Sequence, residues 1–169
     1  MDLVKLGVNG HSWESFEKDW REQCEQYEEE LEDYAAAVFP VFKSLIEDPS
    51  SVAGVYALHN GERYLAVCQL NCASLPGYTG RVLRVRYLTV APTYDFDDHK
   101  IDEYASVLIG TLLGILEISD SDDMQSDHVK FHLRSPAERS LFSAFGAGLD
   151  RADVYKSVKM TGAWLYVTK

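Results

Sequence analysis

Residues 81–92 read RVLRVRYLTVAP, and the prediction of the fold starts from them. Two arginines alternate with Val85 and Tyr87 in this stretch, which is the two-residue period of a strand that has one buried face. The pattern therefore predicts a β-strand over Arg81–Val90.

The segment that follows this strand, residues 91–104, is acidic and contains no glycine. Its charged residues are one lysine, Lys100, and five acids, Asp95, Asp97, Asp98, Asp102 and Glu103. A junction between a strand and a helix is a common phosphate site, because the helix start presents unpaired N–H groups. Two roles for the acids stay open here. Either Asp102 or Glu103 stabilises the helix start itself, or the acids bind a cation, although Lys100 stands where a calcium loop needs glycine.

The composition predicts one domain over residues 1–169. The chain has 46% hydrophobic residues, which suits a single buried core. A net charge of −11 argues against a nucleic-acid partner, because phosphate backbones are bound by clustered Lys and Arg. Three cysteines are too few for a disulfide framework, and no apolar run reaches the ~20 residues of a membrane helix. We therefore predict a cytoplasmic protein with no nucleic-acid or membrane partner.

The remaining secondary structure follows from turn residues and from the period of the apolar positions. Asn60-Gly61 is the strongest turn signal, and Gly110 and Gly114 predict that one helix packs closely on a sheet. Helices are predicted from Ser12, as N-cap, through a long segment to Pro40, and over residues 41–46, 102–118 and 136–145. Strands are predicted over residues 3–8, 52–58, 63–71, 128–133, 154–158 and 163–167.

The long N-terminal helix is expected to be amphipathic. Glutamates fill its outer faces, and its apolar residues recur every three or four positions. That stripe consists of Trp13, Phe16, Trp20, Cys24, Tyr27, Leu31 and Tyr34. A stripe so rich in aromatic residues is expected to bury against the sheet or a second subunit, so a homodimer stays open.

The order of these elements resembles the GNAT superfamily of acyl-CoA-dependent N-acyltransferases over essentially the whole chain. The sequence LTVAP at residues 88–92 is similar to the end of the family's fourth strand. The sequence SPAERSLFSAFG at residues 135–146 is similar to its late helix, with Ser135 where the family has Asn. The resemblance implies an α+β fold, a mixed and mostly antiparallel sheet flanked by helices, with the strand Arg81–Val90 at its centre. It also implies that this strand diverges from the strand over residues 128–133 beyond Val90, which leaves a cleft.

The same resemblance implies acetyl-CoA or another acyl-CoA as the cofactor. The backbone amides around Leu88 and Val90 are then expected to hold the pantetheine arm or the acyl carbonyl, and Ser135 is a further expected cofactor contact. The family binds the pyrophosphate on a glycine-rich loop that opens the next helix. In this chain that position is occupied by the acidic, glycine-free segment described above.

The resemblance places Tyr87 near the position of the family's general base. The proton donor of the family is a tyrosine on the late helix, but Phe142 stands there and cannot donate a proton. Tyr155 is the predicted substitute, with Tyr166 as a second candidate, although tyrosines in the last hairpin are more often packing residues.

Two further groups of residues stay open from the sequence. His128 and His132 share one face of a predicted strand, and without a third ligand we predict no metal site. Arg84, Arg86 and Arg134 form a predicted positive patch, which either receives an anionic substrate or pairs with the excess of acids.

We therefore predict an N-acyltransferase that acts on an amine of a small molecule or peptide. The alternative is a non-catalytic GNAT-like domain that binds a ligand or a protein, which the glycine-free loop favours.

Overall fold

The computed structural model of this protein describes residues 1–97, 101–133, 136–151 and 154–169. In these ranges the strands are β1 (Asp2–Lys5), β2 (Ala53–His59), β3 (Tyr64–Ser74), β4 (Arg81–Val90), β5 (His128–His132), β6 (Ser157–Thr161) and β7 (Trp164–Thr168). The helices are α1 (Ser12–Glu25), α2 (Leu31–Tyr34), α3 (Phe39–Glu47), α4 (Pro92–Phe96), α5 (Ile101–Ile118) and α6 (Pro136–Arg151).

The strands form one sheet in the order β1-β2-β3-β4-β5-β7-β6. The β4–β5 pair is parallel, and the other neighbouring pairs are antiparallel. This confirms the predicted α+β class with a mixed, mostly antiparallel sheet. It also confirms that Arg81–Val90 is the central strand and that the strand beginning at His128 is its neighbour.

Helices cover both faces of the sheet. The helices α1, α2 and α3 enclose a core against β2 and β3, while α5 and α6 enclose the larger core on the other face. Trp13, Phe16 and Trp20 are buried in the first core, and the indole N–H of Trp20 donates to the Tyr64 carbonyl at 3.0 Å. The aromatic stripe is therefore buried within the chain itself, although Tyr27 is only half-buried.

The prediction of one long N-terminal helix was wrong in two respects. The helix α1 ends at Glu25, and Glu28 has a left-handed φ of 59° before α2 begins. Glutamates spaced three and four apart repel each other on a continuous helix, which favours a break here. The N-cap is His11, and the Ser12 hydroxyl accepts the backbone N–H of Gly7 at 3.0 Å instead of capping the helix.

One of the two glycines of α5, Gly114, packs closely on the sheet as predicted, whereas Gly110 has room for a side-chain carbon. A Cβ added at Gly114 would lie 2.7 Å from the Leu3 Cβ, and one at Gly110 would lie 3.5 Å from Leu58. Because Gly114 has no side chain, α5 can approach the edge strand β1. This contact holds the helix that follows the acidic loop against the sheet.

Several predicted boundaries differ from the structure. The first strand ends at Lys5, β3 extends to Ser74, α6 extends to Arg151, and a short helix, α4, occupies the start of the acidic segment. The strand predicted over residues 154–158 is β6, which lies three residues later. A two-residue turn with Gly162 at φ 59° pairs Thr161 with Trp164 and sets this register. Tyr155 consequently precedes the strand.

Candidate functional site

A β-bulge interrupts β4 at Tyr87. Arg86 pairs with Gln69 and Thr89 pairs with Val67, so two residues of β4, Tyr87 and Leu88, lie opposite one residue of β3. Tyr87 has a φ of 53°, a left-handed conformation that is uncommon for a bulky residue. A bulge of this kind bends its strand and redirects the side chains beside it.

The strands β4 and β5 part at this bulge. Their pairing runs from Val82 with His128 to Val85 with Phe131 and includes no described residue beyond that pair. The sequence prediction placed the divergence beyond Val90, whereas in the structure the strands part after Val85, five residues earlier. The difference arises because the bulge bends β4 away from β5 from Arg86 onward.

A cavity of about 340 Å³ lies where the two strands separate. It is lined by Arg86, Tyr87, His132 and Trp164. Another cavity, of about 400 Å³, lies at the far edge of the sheet between the β1–α1 connection and the end of α3. The smaller cavity is the better candidate site, because titratable and aromatic side chains from three strands converge on it.

Packing holds two of these side chains in place. The Tyr87 ring is half-buried and lies edge-on to Phe42 of α3, with 6.4 Å between ring centroids. The His132 ring lies 4.5 Å from the Trp164 ring. The Thr89 hydroxyl donates to the Tyr87 carbonyl at 3.1 Å, which supports the bulged backbone.

In the sequence, His132 stands out only together with His128, as a pair on one strand face without a third metal ligand. Among the described residues, no group of three or more His, Cys, Asp or Glu side chains is placed to hold a metal ion. His128 instead lies 2.9 Å from the Thr79 carbonyl oxygen at the other end of β5. Strand register brings His132 to the cavity. The last pair of β4 and β5 is Val85 with Phe131, so Arg86 and His132 are the first two residues beyond the paired part. The sequence does not contain that signal.

The predicted cofactor contacts occupy the parted end of β4. The side chains of Leu88 and Val90 are buried in the core beneath α5. The backbone of β4 remains paired with β3 there, and the described residues of β5 pair with none of it beyond Val85. The Val90 carbonyl accepts the Tyr34 hydroxyl at 2.9 Å, whereas Ser135 and Arg134 lie outside the described residues. The cofactor roles stay predictions.

The structure does not bring Tyr155 to Tyr87. Tyr155 lies just before β6, whose first residue, Ser157, pairs with Thr168 at the end of the sheet opposite Trp164. Burial first, and Asp120 second, raise the pKa of Tyr155. The catalytic role of Tyr155 is untested, and its position separates it from the cavity.

Neither Phe142 nor Tyr166 lines the cavity. Phe142 is fully buried, with its ring centroid 6.2 Å from that of Phe131. Tyr166 lies on the open face of β7, where the Lys130 ammonium is 5.1 Å from its ring centroid. The cavity lining therefore contains one tyrosine, Tyr87, among the described residues.

Two acids of the segment after β4 connect it to the N-terminal helices. The Tyr34 hydroxyl lies 2.8 Å from an Asp95 carboxylate oxygen, and the Tyr27 hydroxyl lies 3.4 Å from Asp97. Burial and then the Asp95 carboxylate raise the pKa of Tyr34, so its hydroxyl stays protonated and can donate. These acids therefore have a structural role that the sequence did not predict.

The start of α5 is also acidic. Asp102 and Glu103 lie in its first turn, and whether they cap the helix stays a prediction. Tyr104 is half-buried behind them, and burial, then Glu138, then Asp95 raise its pKa to about 12. The carboxylates of this region therefore repel a pyrophosphate, because like charges repel.

The mixed seven-stranded sheet, with a parallel central pair that parts beside a bulge, defines a GNAT-like fold. Two solved structures share the fold. The chain matches a probable acetyltransferase with a TM-score of 0.55 and 12% identity, over 96% of this chain and 99% of that one. It matches a probable acetyltransferase from Staphylococcus epidermidis with a TM-score of 0.57 and 10% identity, over 99% and 98%. The sequence itself matches no protein-family model and no curated protein.

No helix in the described ranges is both long enough and apolar enough to cross a membrane.

Proposed function

We propose that this protein is an acyltransferase that moves an acyl group from a thioester to an amine in the cavity between β4 and β5. The observation that supports this most is the parting of the two strands after Val85, beside the bulge at Tyr87. A parted parallel pair leaves backbone N–H groups that can polarise a thioester carbonyl. The cavity also provides a histidine, whose imidazole nitrogens can accept and donate a proton.

In the proposed reaction the amine nitrogen attacks the thioester carbonyl. A C–N bond forms, the C–S bond breaks, and the products are an amide and a thiol. The proton lost by the amine passes to His132, which returns it to water, and the thiolate leaving group takes up a proton from water. Tyr87, the predicted base, contributes a hydroxyl to the cavity lining. In this proposal that hydroxyl positions the amine. Tyr155 has no role in this proposal.

The proposed acyl donor is acetyl-CoA or another acyl-CoA. The thioester and its pantetheine arm would lie in the cavity where β4 and β5 separate. The acids near α4 and the first turn of α5 oppose the pyrophosphate, so we expect donor affinity to be low. The donor would supply the activated carbonyl, and the chain's own residues would position the amine and accept its proton.

Calorimetric titration with acetyl-CoA and free CoA, together with thiol release in the presence of an amine, tests this function. We expect His132→Gln to lower kcat by roughly 100-fold or more, because general base catalysis is worth about that much. Its donor affinity should stay near that of the unmodified protein. His128→Gln is the matched control. His128 lies on the same face of β5 as His132, but at the other end of the strand and outside the cavity lining.

A non-catalytic GNAT-like binding domain is the second candidate. The observation in its favour is that the acidic segment holds the N-terminal helices through Tyr34 and Tyr27, while Phe142 offers no proton. If neither acetyl-CoA nor CoA binds at millimolar concentration and no thiol is released, this candidate replaces the acyltransferase.

A further inference from the structure

We propose that the amine acceptor carries a carboxylate, and that Arg86, Arg84 and Lys130 bind this carboxylate beside the cavity. The proposal rests on the acyltransferase function and specifies its substrate class. The acceptor would be a small amine of the amino-acid kind, with the anionic group close to the nitrogen.

The three cations lie on a face of the sheet that the N-terminal helices leave open. Buried side chains of β5, β6 and β7 belong to the core under α5 and α6. The core formed by α1–α3 on the opposite face contains no buried residue of those strands within the described ranges. Strand residues that alternate with the buried ones therefore project from an uncovered surface.

Strand register aligns the cations. Arg84 pairs with Lys130, and Lys130 pairs with Tyr166. Arg86 lies two residues beyond Arg84, about 7 Å along the strand, and lines the cavity. A carboxylate beside the cavity is therefore within reach of cations from both separating strands.

This surface has no acids of its own, although the chain contains 27 Asp and Glu residues. None of the side chains that β4, β5, β6 and β7 place on the open face is acidic. Arg84, Arg86 and Lys130 are absent from the ion pairs formed among the described residues. Neighbouring like charges destabilise a sheet. An anion bound from outside the chain would reduce the repulsion among these three cations.

The contacts of the cations leave charge available for a ligand. Arg84 donates one terminal N–H to the Asn71 side chain, while its buried Nε has no acceptor among the described residues. The Lys130 ammonium lies 4.3 Å from the Trp164 ring centroid, which positions it at the cavity without neutralising it. Arg86 is exposed.

The arrangement favours a small acceptor over an extended acidic chain. Lys159, the next cation on this face, lies on edge strand β6 beyond Tyr166, about 10 Å from Lys130 across two strand spacings. Lysine on an edge strand is also a common protection against aggregation. A simple cationic amine would be repelled by this surface, and a carboxylate on the same molecule offsets that repulsion.

Binding is tested with L-leucine and with 3-methylbutan-1-amine, which has the same carbon chain and no carboxylate. The indole N–H signal of Trp164 in NMR spectra, assigned with Trp164→Phe, reports occupancy of the cavity without any need for catalysis. We expect leucine to bind about tenfold more tightly than the amine. Arg86→Gln and Lys130→Gln should each lower leucine affinity about tenfold and leave amine affinity within about twofold.

Lys159→Gln is the matched control and should change leucine affinity by less than about twofold. Equal affinity for leucine and the amine would overturn the proposal. A comparable loss in the Lys159 variant would also overturn it and favour an extended acidic acceptor. Carboxylate-dependent binding without thiol release from acetyl-CoA would uphold the site and count against acyl transfer.

Discussion

Replacement of Trp20 by alanine tests how the N-terminal helices hold the sheet. The Trp20 side chain is fully buried, and its ring centroid lies 4.7 Å from that of Phe16. Its indole N–H donates to the Tyr64 carbonyl at the start of β3. The substitution therefore removes a large apolar surface, leaves a cavity and deletes a buried hydrogen bond.

The expected loss is about 3 to 5 kcal/mol of unfolding free energy, the usual range for a buried Trp-to-Ala change. The hydrogen bond adds little to this figure, because the Gln23 amide also reaches the Tyr64 carbonyl, at 3.4 Å. Trp20→Phe keeps a ring in the same place and should cost roughly 1 to 2 kcal/mol for the missing indole portion and its donor.

Urea titration followed by circular dichroism measures these differences, with the slope of the transition unchanged if only stability is affected. Lys18→Ala, at an exposed position of the same helix, is the control and should stay within about 0.5 kcal/mol of the unmodified protein. A loss below about 1 kcal/mol for Trp20→Ala would show that Trp20 is not buried in solution.

Three other predictions concern α5, the buried thiols and the acidic segment. Gly114→Ala should lower the unfolding free energy by about 1 to 3 kcal/mol, since the new Cβ meets Leu3. Gly148→Ala is the control: Gly148 has open space around it, so the change should stabilise α6 by up to about 1 kcal/mol. Equal effects of the two changes in thermal melts would refute the packing argument. Burial raises the pKa of the Cys68 thiol from 9.0 to about 12, so the unfolded chain loses this proton first. Stability should therefore fall as pH rises from about 9 to 12, and Cys68→Ala should flatten that fall by at most about 1.4 kcal/mol per pH unit; an unchanged slope would contradict it. Asp97→Asn should tighten acetyl-CoA binding about fivefold in calorimetry by removing about 1 kcal/mol of repulsion, and weaker binding would mean that Asp97 supports the site.

Local chemistry in the sequence determined most of the elements. The alternation over Arg81–Val90 predicted a strand with its observed bounds, and the Asn60-Gly61 turn joins β2 and β3 as predicted. The period of Trp13, Phe16 and Trp20 predicted a buried helix face correctly, because a helix places every third or fourth residue on one side. These signals depend on neighbours in the chain, so the sequence alone carries them.

Long-range register decided the candidate site. The bulge at Tyr87, the early parting of β4 from β5 and the meeting of His132 and Arg86 in one cavity lining depend on how the strands pair. No local pattern in residues 81–92 marks an extra residue in a strand, since the bulge exists only relative to β3. The sequence alone showed that Arg84 and Arg86 lie on one face of a strand. The pairing of β4, β5 and β7 placed Lys130 and Trp164 beside them, because strands distant in the chain become neighbours only in the folded sheet.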